Sequence, residues 1–240
     1  MKLIRGFTLV EIAVVLMILG LLLGGLLIPL SAQMDQQKIR VTQQRLEEIK
    51  EALIGFAILN GYLPCPNLSP LEDGQGRDPP CNSDNEGQIP WVVLGVERYD
   101  AWGRTFRYRI DDYFGKAPET GFPNPPDTFS NLRVRLRGTD TEDKKLTNED
   151  INSPVVAIIF SCGKNGRPDP TPPPNSDLEH TNDTDGITNN NATCTNSQTP
   201  NDSVYIQDSF VENEFDDILI WLPKTIFINR LVATGQWPPS

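Results

Sequence analysis

An uninterrupted apolar segment occupies residues 7–30, directly after a short basic N-terminus. Glu11 is its only charged side chain, and Lys2 and Arg5 precede it. As an α-helix its 24 residues extend about 36 Å, which exceeds the ~30 Å hydrocarbon core of a bilayer. The basic flank predicts a cytoplasmic N-terminus and export of the remaining chain. Pro29 removes a backbone hydrogen bond, so we expect a kink or a local opening of the helix there.

The helical pattern continues over residues 31–61 with a different distribution of polar side chains. Apolar residues recur at helical spacing, and the charged residues lie mostly off this stripe. The stripe consists of Ile39, Leu46, Ile49, Leu53 and Phe56. Such a pattern predicts an amphipathic helix whose apolar face is covered by the sheet of its own domain.

The remainder of the chain carries patterns typical of β-strands. Residues 106–110 alternate apolar side chains with Arg107 and Arg109, and residues 132–137 alternate in the same manner. Residues 154–160 are continuously apolar, which is typical of a central strand. We therefore predict an α+β fold: one long N-terminal helix, followed by an antiparallel β-sheet packed on the C-terminal half of that helix.

Charge and motif content restrict the classes of function. The formal net charge of −11 argues against general nucleic-acid binding and for a soluble exported head. The chain has a single histidine, His180, and none of the G-x-S-x-G, H-E-x-x-H or P-loop motifs. We therefore expect no enzyme activity and assign no catalytic residues.

The four cysteines indicate disulfide bonds, because an even count in an exported domain favours bridges. They allow three connectivities, of which the local one, Cys65–Cys81 with Cys162–Cys194, would close two loop-rich segments. A zinc site is the alternative. It is disfavoured because the chain has no C-x-x-C spacing and only one histidine.

The N-terminal sequence Gly6-Phe7-Thr8-Leu9-Val10-Glu11 resembles the prepilin-type N-terminus of type IV pilins and type II secretion pseudopilins. Segments 100–103 (D-A-W-G), 160–166 and 215–221 are similar to pseudopilin segments as well. The resemblance implies that a membrane peptidase cleaves between Gly6 and Phe7 and methylates the new amine of Phe7. It also implies that Glu11 pairs with this amine on a neighbouring subunit and thereby sets the register of assembly.

Other interpretations of the N-terminus stay open. The segment could be a cleaved secretory signal, although those have an apolar region of about 7–15 residues and an A-x-A-like site. It could equally be a plain membrane anchor. Glu11, for its part, could cap the N-terminus of its own helix, where an acid interacts favourably with the helix dipole.

The resemblance implies a pilin-like architecture with four parts and two large loop insertions. The parts are a leader peptide (1–6), a transmembrane helix half (7–30), an amphipathic helix half (31–61) and a periplasmic head (62–240), with insertions at 67–87 and 163–203. The insertions leave the choice between a major subunit and a minor, tip or specialised one open.

A structural subunit of a pilus-like fibre is the function that the resemblance implies, with a pseudopilin of a type II secretion-type system favoured. The protein would be a single-pass protein of the bacterial inner membrane, then part of a fibre. Its partners would be the prepilin peptidase, the assembly platform of the inner membrane, copies of itself and other pilin-like subunits. The alternatives are a minor type IV pilin for adhesion, DNA uptake or priming, and a membrane-anchored periplasmic binding protein.

Two further sites are expected in the head. Major pseudopilins carry calcium in the C-terminal loop region, so the resemblance implies Asp216 and Asp217 as candidate calcium ligands. Arginines on two predicted strands would form a basic ridge if those strands pair, and the ridge would bind an anionic surface or an acidic patch of the next subunit. The ridge would consist of Arg107, Arg109, Arg133, Arg135 and Arg137. The alternative is a solvated outer sheet face whose arginines pair with local acids.

Overall fold

The part of the protein that the structure describes contains one very long helix, two short helices and six strands. The computed structural model describes residues 8–68, 73–76, 81, 86–111, 114–115, 132–136, 145–147, 155–166, 204–211 and 215–236, and for 23–30 and 204 the backbone alone. The elements are α1 (Leu9–Asn60), β1 (Glu86–Gln88), α2 (Trp91–Leu94), β2 (Arg107–Ile110), β3 (Arg133–Arg135), β4 (Val155–Ser161), β5 (Val204–Ile206), β6 (Ile218–Pro223) and α3 (Lys224–Ala233).

The chain divides into two compact units, residues 1–40 and 41–240, and α1 contributes to both. In the first unit α1 remains helical through Pro29. The local opening expected at this proline is therefore not observed.

In the second unit the C-terminal part of α1 is amphipathic, as predicted. It buries one face at spacings of three or four residues. The buried side chains are Thr42, Leu46, Ile49, Leu53 and Ala57. Two hydrogen bonds attach the same part of the helix to a turn of the head. Arg45 Nη1 donates to the carbonyl oxygen of Tyr99 at 2.7 Å, and the amide of Ala101 donates to Thr42 Oγ1 at 3.2 Å.

The main sheet has four strands in the order β1-β2-β4-β6, and every pairing is antiparallel. All seven residues of β4 are buried, which confirms the prediction of a central strand from its continuous apolar sequence. The long helix followed by an antiparallel sheet confirms the α+β class. Strand β1 begins at the end of the expected loop insertion at 67–87, and helix α2 follows it.

A second, two-stranded sheet covers one face of the main sheet. Strands β3 and β5 pair in parallel, and their buried side chains form one core cluster with those of β4 and β6. The cluster comprises Leu132, Val134, Val155, Ile158, Phe160, Cys162, Tyr205 and Leu219. Strand β3 is therefore a partner of β5 and not of β2, and the pairing required for a continuous ridge of five arginines does not occur.

Candidate assembly site at the start of the long helix

Thr8 and Glu11 form a reciprocal capping box at the first turn of α1. Because α1 begins at Leu9, Thr8 occupies the N-cap position and Glu11 the third helical position. The amide and the hydroxyl of Thr8 both donate to Glu11 Oε2 at 2.8 Å, and the amide of Glu11 donates to Thr8 Oγ1 at 3.3 Å. These bonds satisfy amides that have no partner inside the helix. The interpretation that Glu11 caps its own helix is therefore confirmed for the single chain.

The capping box uses only one of the two carboxylate oxygens of Glu11. The side chain is exposed, and among the described residues Oε1 accepts no hydrogen bond. The carboxylate is thus held in place by Thr8 while one oxygen remains accessible to a cation. Gly6 and Phe7, the predicted cleavage and methylation positions, lie outside the described residues.

The helix surface that follows the capping box is apolar and open. The large apolar side chains from Leu9 to Leu22 are between 47% and 86% exposed. An apolar surface of this extent marks an interaction site in a protein of stable fold.

Within the part of the chain that the structure describes, no helix is sufficiently long and apolar to cross a membrane.

Asp100 anchors the turn that contains the D-A-W-G segment. Its Oδ1 accepts the amides of Trp102 at 2.8 Å and Arg104 at 2.9 Å, and its Oδ2 accepts the hydroxyl of Ser161 at 2.5 Å. Gly103 has a φ of +84° in this turn, a conformation that favours glycine. The segments from 100 and from 160, which the resemblance singled out separately, are therefore joined through one carboxylate.

Asp216, one of the two proposed calcium ligands, stabilises the turn that follows β4. Its Oδ2 accepts the amide of Asn165 at 2.7 Å, and Gly163, at a φ of +55°, lies against its backbone, so that a β-carbon would not fit there. Asp217 is buried beside it. The described residues contain no group of three histidine, cysteine or acidic side chains that could hold a metal, so the calcium site stays a prediction resting on these two carboxylates.

The structure contains the predicted Cys65–Cys81 disulfide, which excludes these two cysteines from a zinc site. The bridge lies next to the turn at 114–115, where the amide of Cys81 donates to the carbonyl of Gly115 at 2.7 Å. Cys162 is disulfide-bonded as well. Its predicted partner, Cys194, lies outside the described residues.

Contrary to the prediction of a solvated arginine face, Arg107 and Arg109 are buried, at 2% and 3% exposure. Arg107 Nη2 forms an ion pair with Glu86 Oε1 at 2.5 Å, and the hydroxyl of Tyr205 donates to Glu86 Oε2. Arg133 and Arg135 are half-buried on β3, and Arg137 lies outside the described residues. The prediction failed because the second sheet, which covers this face, is formed by strands distant in sequence. The sequence feature that could have indicated a buried partner for Arg107 is the acid Glu86, two residues before Gln88.

Comparison with known proteins assigns the N-terminus. Residues 1–27 match the family model described as the prokaryotic N-terminal methylation motif. No curated protein and no solved structure is similar enough to the chain to count as a match. The matched region contains the Thr8–Glu11 capping box and much of the open apolar surface. The chain therefore carries the prepilin-type leader and methylation segment found in type IV pilins and pseudopilins.

Proposed function

We propose that this protein is a structural subunit of a pilus-like fibre, processed by the prepilin peptidase and assembled from the bacterial inner membrane. The observation that carries the proposal is the methylation motif at residues 1–27, together with the open oxygen of Glu11 within it. In this proposal the apolar part of α1 anchors the chain in the membrane before assembly, and the head lies in the periplasm.

Cleavage after Gly6 would create an ammonium group on Phe7, four residues before Glu11 in the chain. Oε1 of Glu11 is available for this cation on a neighbouring subunit, because Thr8 binds only Oε2. A charge pair in an apolar environment is stronger than one in water, provided that its geometry is good. The capping box supports that geometry, since it fixes the carboxylate before the neighbour arrives.

The apolar side chains between Leu9 and Leu22 would supply the affinity of assembly. Burying apolar surface yields about 25 cal/mol per Å², and these side chains are open in the single chain. Packing one helix against the next in a head-to-tail arrangement leaves a free surface at each end. Repetition of such contacts builds an open filament.

Within this class, a pseudopilin of a type II secretion-type system is the more specific assignment that we propose. It is supported by the turn at 100–103, whose aspartate is hydrogen-bonded to Ser161 in the second pseudopilin-like segment. A minor type IV pilin is the second candidate, because the insertions at 67–87 and 163–203 exceed the compact form of a major subunit. Detection of the protein on the cell surface at native expression would favour the minor pilin; confinement to the periplasmic side would favour the pseudopilin.

The experiment that tests the fibre-subunit proposal is assembly of Glu11 variants in cells that carry the matching assembly machinery. We expect Glu11→Ala to be processed and retained in the membrane but lost from sheared fibres, because the cation of the neighbour has no partner. The matched control is Glu47→Ala, which removes an exposed acid further along α1 and should leave fibre incorporation intact. Normal incorporation of Glu11→Ala would contradict the proposal and favour a membrane-anchored binding protein.

A further inference from the structure

Two arginines are buried in the main sheet. Arg107 and Arg109 lie two residues apart on β2, so their side chains share one face of the sheet. Their cross-strand partners on β4 are Phe160 and Ile158, both members of the core cluster that includes Tyr205 of β5. The guanidinium groups therefore lie on the face that the second sheet covers.

The charges recorded in this cluster do not balance. Glu86 is its acid, and both of its oxygens are engaged, one by Arg107 Nη2 and the other by Tyr205. Arg109, directly across the strand pair from Glu86, forms no ion pair within the described part of the chain. Gln88, the cross-strand partner of Arg107, contributes only a neutral amide. Counted over the described side chains of this cluster, one carboxylate and two guanidinium groups leave a net charge of +1.

The hydrogen bonds are incomplete in the same place. Nε and Nη1 of Arg107 and Nε and Nη1 of Arg109 are all buried, and none of the four has an acceptor among the described residues. A guanidinium group has only donors and no acceptor, so the two arginines cannot satisfy one another. Burying a cation without a partner is strongly unfavourable, and apolar surroundings do not compensate its charge. A bound anion would compensate it.

We propose that Arg107 and Arg109 form a binding site for one small oxyanion, such as phosphate or a free carboxylate. The planar guanidinium group offers paired N–H donors that match the two oxygens of such a group. The anion would cancel the excess charge and accept the open N–H groups. Its binding would join β2 to the sheet of β3 and β5 and so stabilise the folded head. This site is independent of Glu11, so failure of the assembly proposal would leave it untouched.

The test is thermal unfolding of the full chain in detergent micelles, with inorganic phosphate added at constant ionic strength against chloride. We expect phosphate to raise the midpoint of unfolding saturably, by about 4–10 °C. Arg109→Met should lose this response and, in chloride alone, should unfold at the same temperature as the unmodified chain or higher, because it removes an uncompensated buried charge. Arg230→Gln, which removes an exposed arginine, is the matched control and should keep the full response.

Two results would overturn the proposal. One is an equal effect of phosphate on the unmodified chain and on Arg109→Met, which would show that the ion acts elsewhere. The other is no effect of phosphate combined with a marked destabilisation by Arg109→Met, which would show that an acid of the chain itself already pairs with Arg109. Should Arg109→Met fail to fold, phosphate binding to the unmodified chain and to Arg109→Lys is measured by equilibrium dialysis instead. We expect about one ion bound per unmodified chain, and the absence of bound phosphate would contradict the site.

Discussion

Glu11 and Glu86 are two carboxylates whose hydrogen bonds are formed in opposite ways. Glu11 is exposed, and its bonds go to Thr8, three residues away in the same helix turn. Glu86 is 2% exposed, and its bonds go to Arg107 and Tyr205, 21 and 119 residues away. The first arrangement is complete within one turn of helix and leaves an oxygen for another molecule. The second exists only when strands from distant parts of the chain have come together, and it holds the head as one structure.

Among the substitutions that test this difference, Glu86→Gln is expected to have the largest effect. Glu86→Gln removes the one carboxylate that pairs with these buried arginines among the described residues, so we expect a loss of about 3–5 kcal/mol in the free energy of unfolding. Urea titration of the full chain in detergent, followed by tryptophan fluorescence, measures it. Glu47→Gln, which removes the ion pair between the exposed Glu47 and the half-buried Lys50, should cost less than about 0.5 kcal/mol. Equal, small effects of the two changes would show that Glu86 does not hold the head.

Two leucines on α1, one in each unit, test whether the two units use their apolar side chains differently. Leu46 is fully buried, whereas Leu16 is 63% exposed. Leu46→Ala should destabilise the head by about 2–5 kcal/mol, because it creates a cavity. Leu16→Ala should leave the unfolding curve of the head unchanged and instead reduce recovery of the protein in sheared fibres. Equal destabilisation of the head by Leu16→Ala and Leu46→Ala would contradict this prediction.

Tyr108 is buried, and its polar hydroxyl differs from the two carboxylates in its hydrogen bonding. Its hydroxyl has no hydrogen-bond acceptor in the described residues, and burial raises the pKa of Tyr108 well above its ordinary value near 10. We expect Tyr108→Phe to stabilise the head by about 1 kcal/mol at neutral pH, since it removes that unmade bond.

The raised pKa of Tyr108 also sets a direction for the pH dependence. Between the unfolded pKa near 10 and the raised folded pKa, only the unfolded chain releases the tyrosine proton. The free energy of unfolding is therefore unaffected by this ionisation below the unfolded pKa, and it falls as the pH rises above that value toward the folded pKa. The advantage of Tyr108→Phe should therefore widen above pH 10 by up to about 1.4 kcal/mol per pH unit. Urea titrations at pH 7 and pH 10.5 measure both effects, and a gap that narrows with rising pH would contradict them.

The smallest effect is expected at the capping box. Thr8→Ala removes the N-cap hydroxyl and should cost about 1 kcal/mol in the stability of the first helix turn, with no change in the unfolding of the head. Hydrogen exchange of the amides at positions 8 and 11 should accelerate about fivefold, and Thr8→Ser should restore the original rates. Unchanged exchange in Thr8→Ala would show that Thr8 does not position Glu11.

The features that could be predicted from the sequence are those set by local spacing. The helix stripe through Leu46, Ile49 and Leu53, the central strand β4 and the pairing of Cys65 with Cys81 each depend on residues close in the chain. Capping of its own helix by Glu11 can be predicted for the same reason, whereas the reciprocal bonds with Thr8 are seen only in the structure. The burial of Arg107 and Arg109 could not be predicted, because an arginine alternating with apolar residues is typical of a solvated face. Only the covering sheet of β3 and β5, joined across about 70 residues, reverses that interpretation.

The most direct measurement is the intact mass and N-terminal sequence of the protein purified from the membrane of cells with an active prepilin peptidase. We expect a chain that begins at Phe7 and carries one methyl group on its N-terminal amine. A chain that still begins at Met1 would contradict it and leave an anchored periplasmic domain. A chain that begins near Gln33 would contradict it as well, because an ordinary signal peptidase would then have removed Glu11 together with the apolar part of the helix.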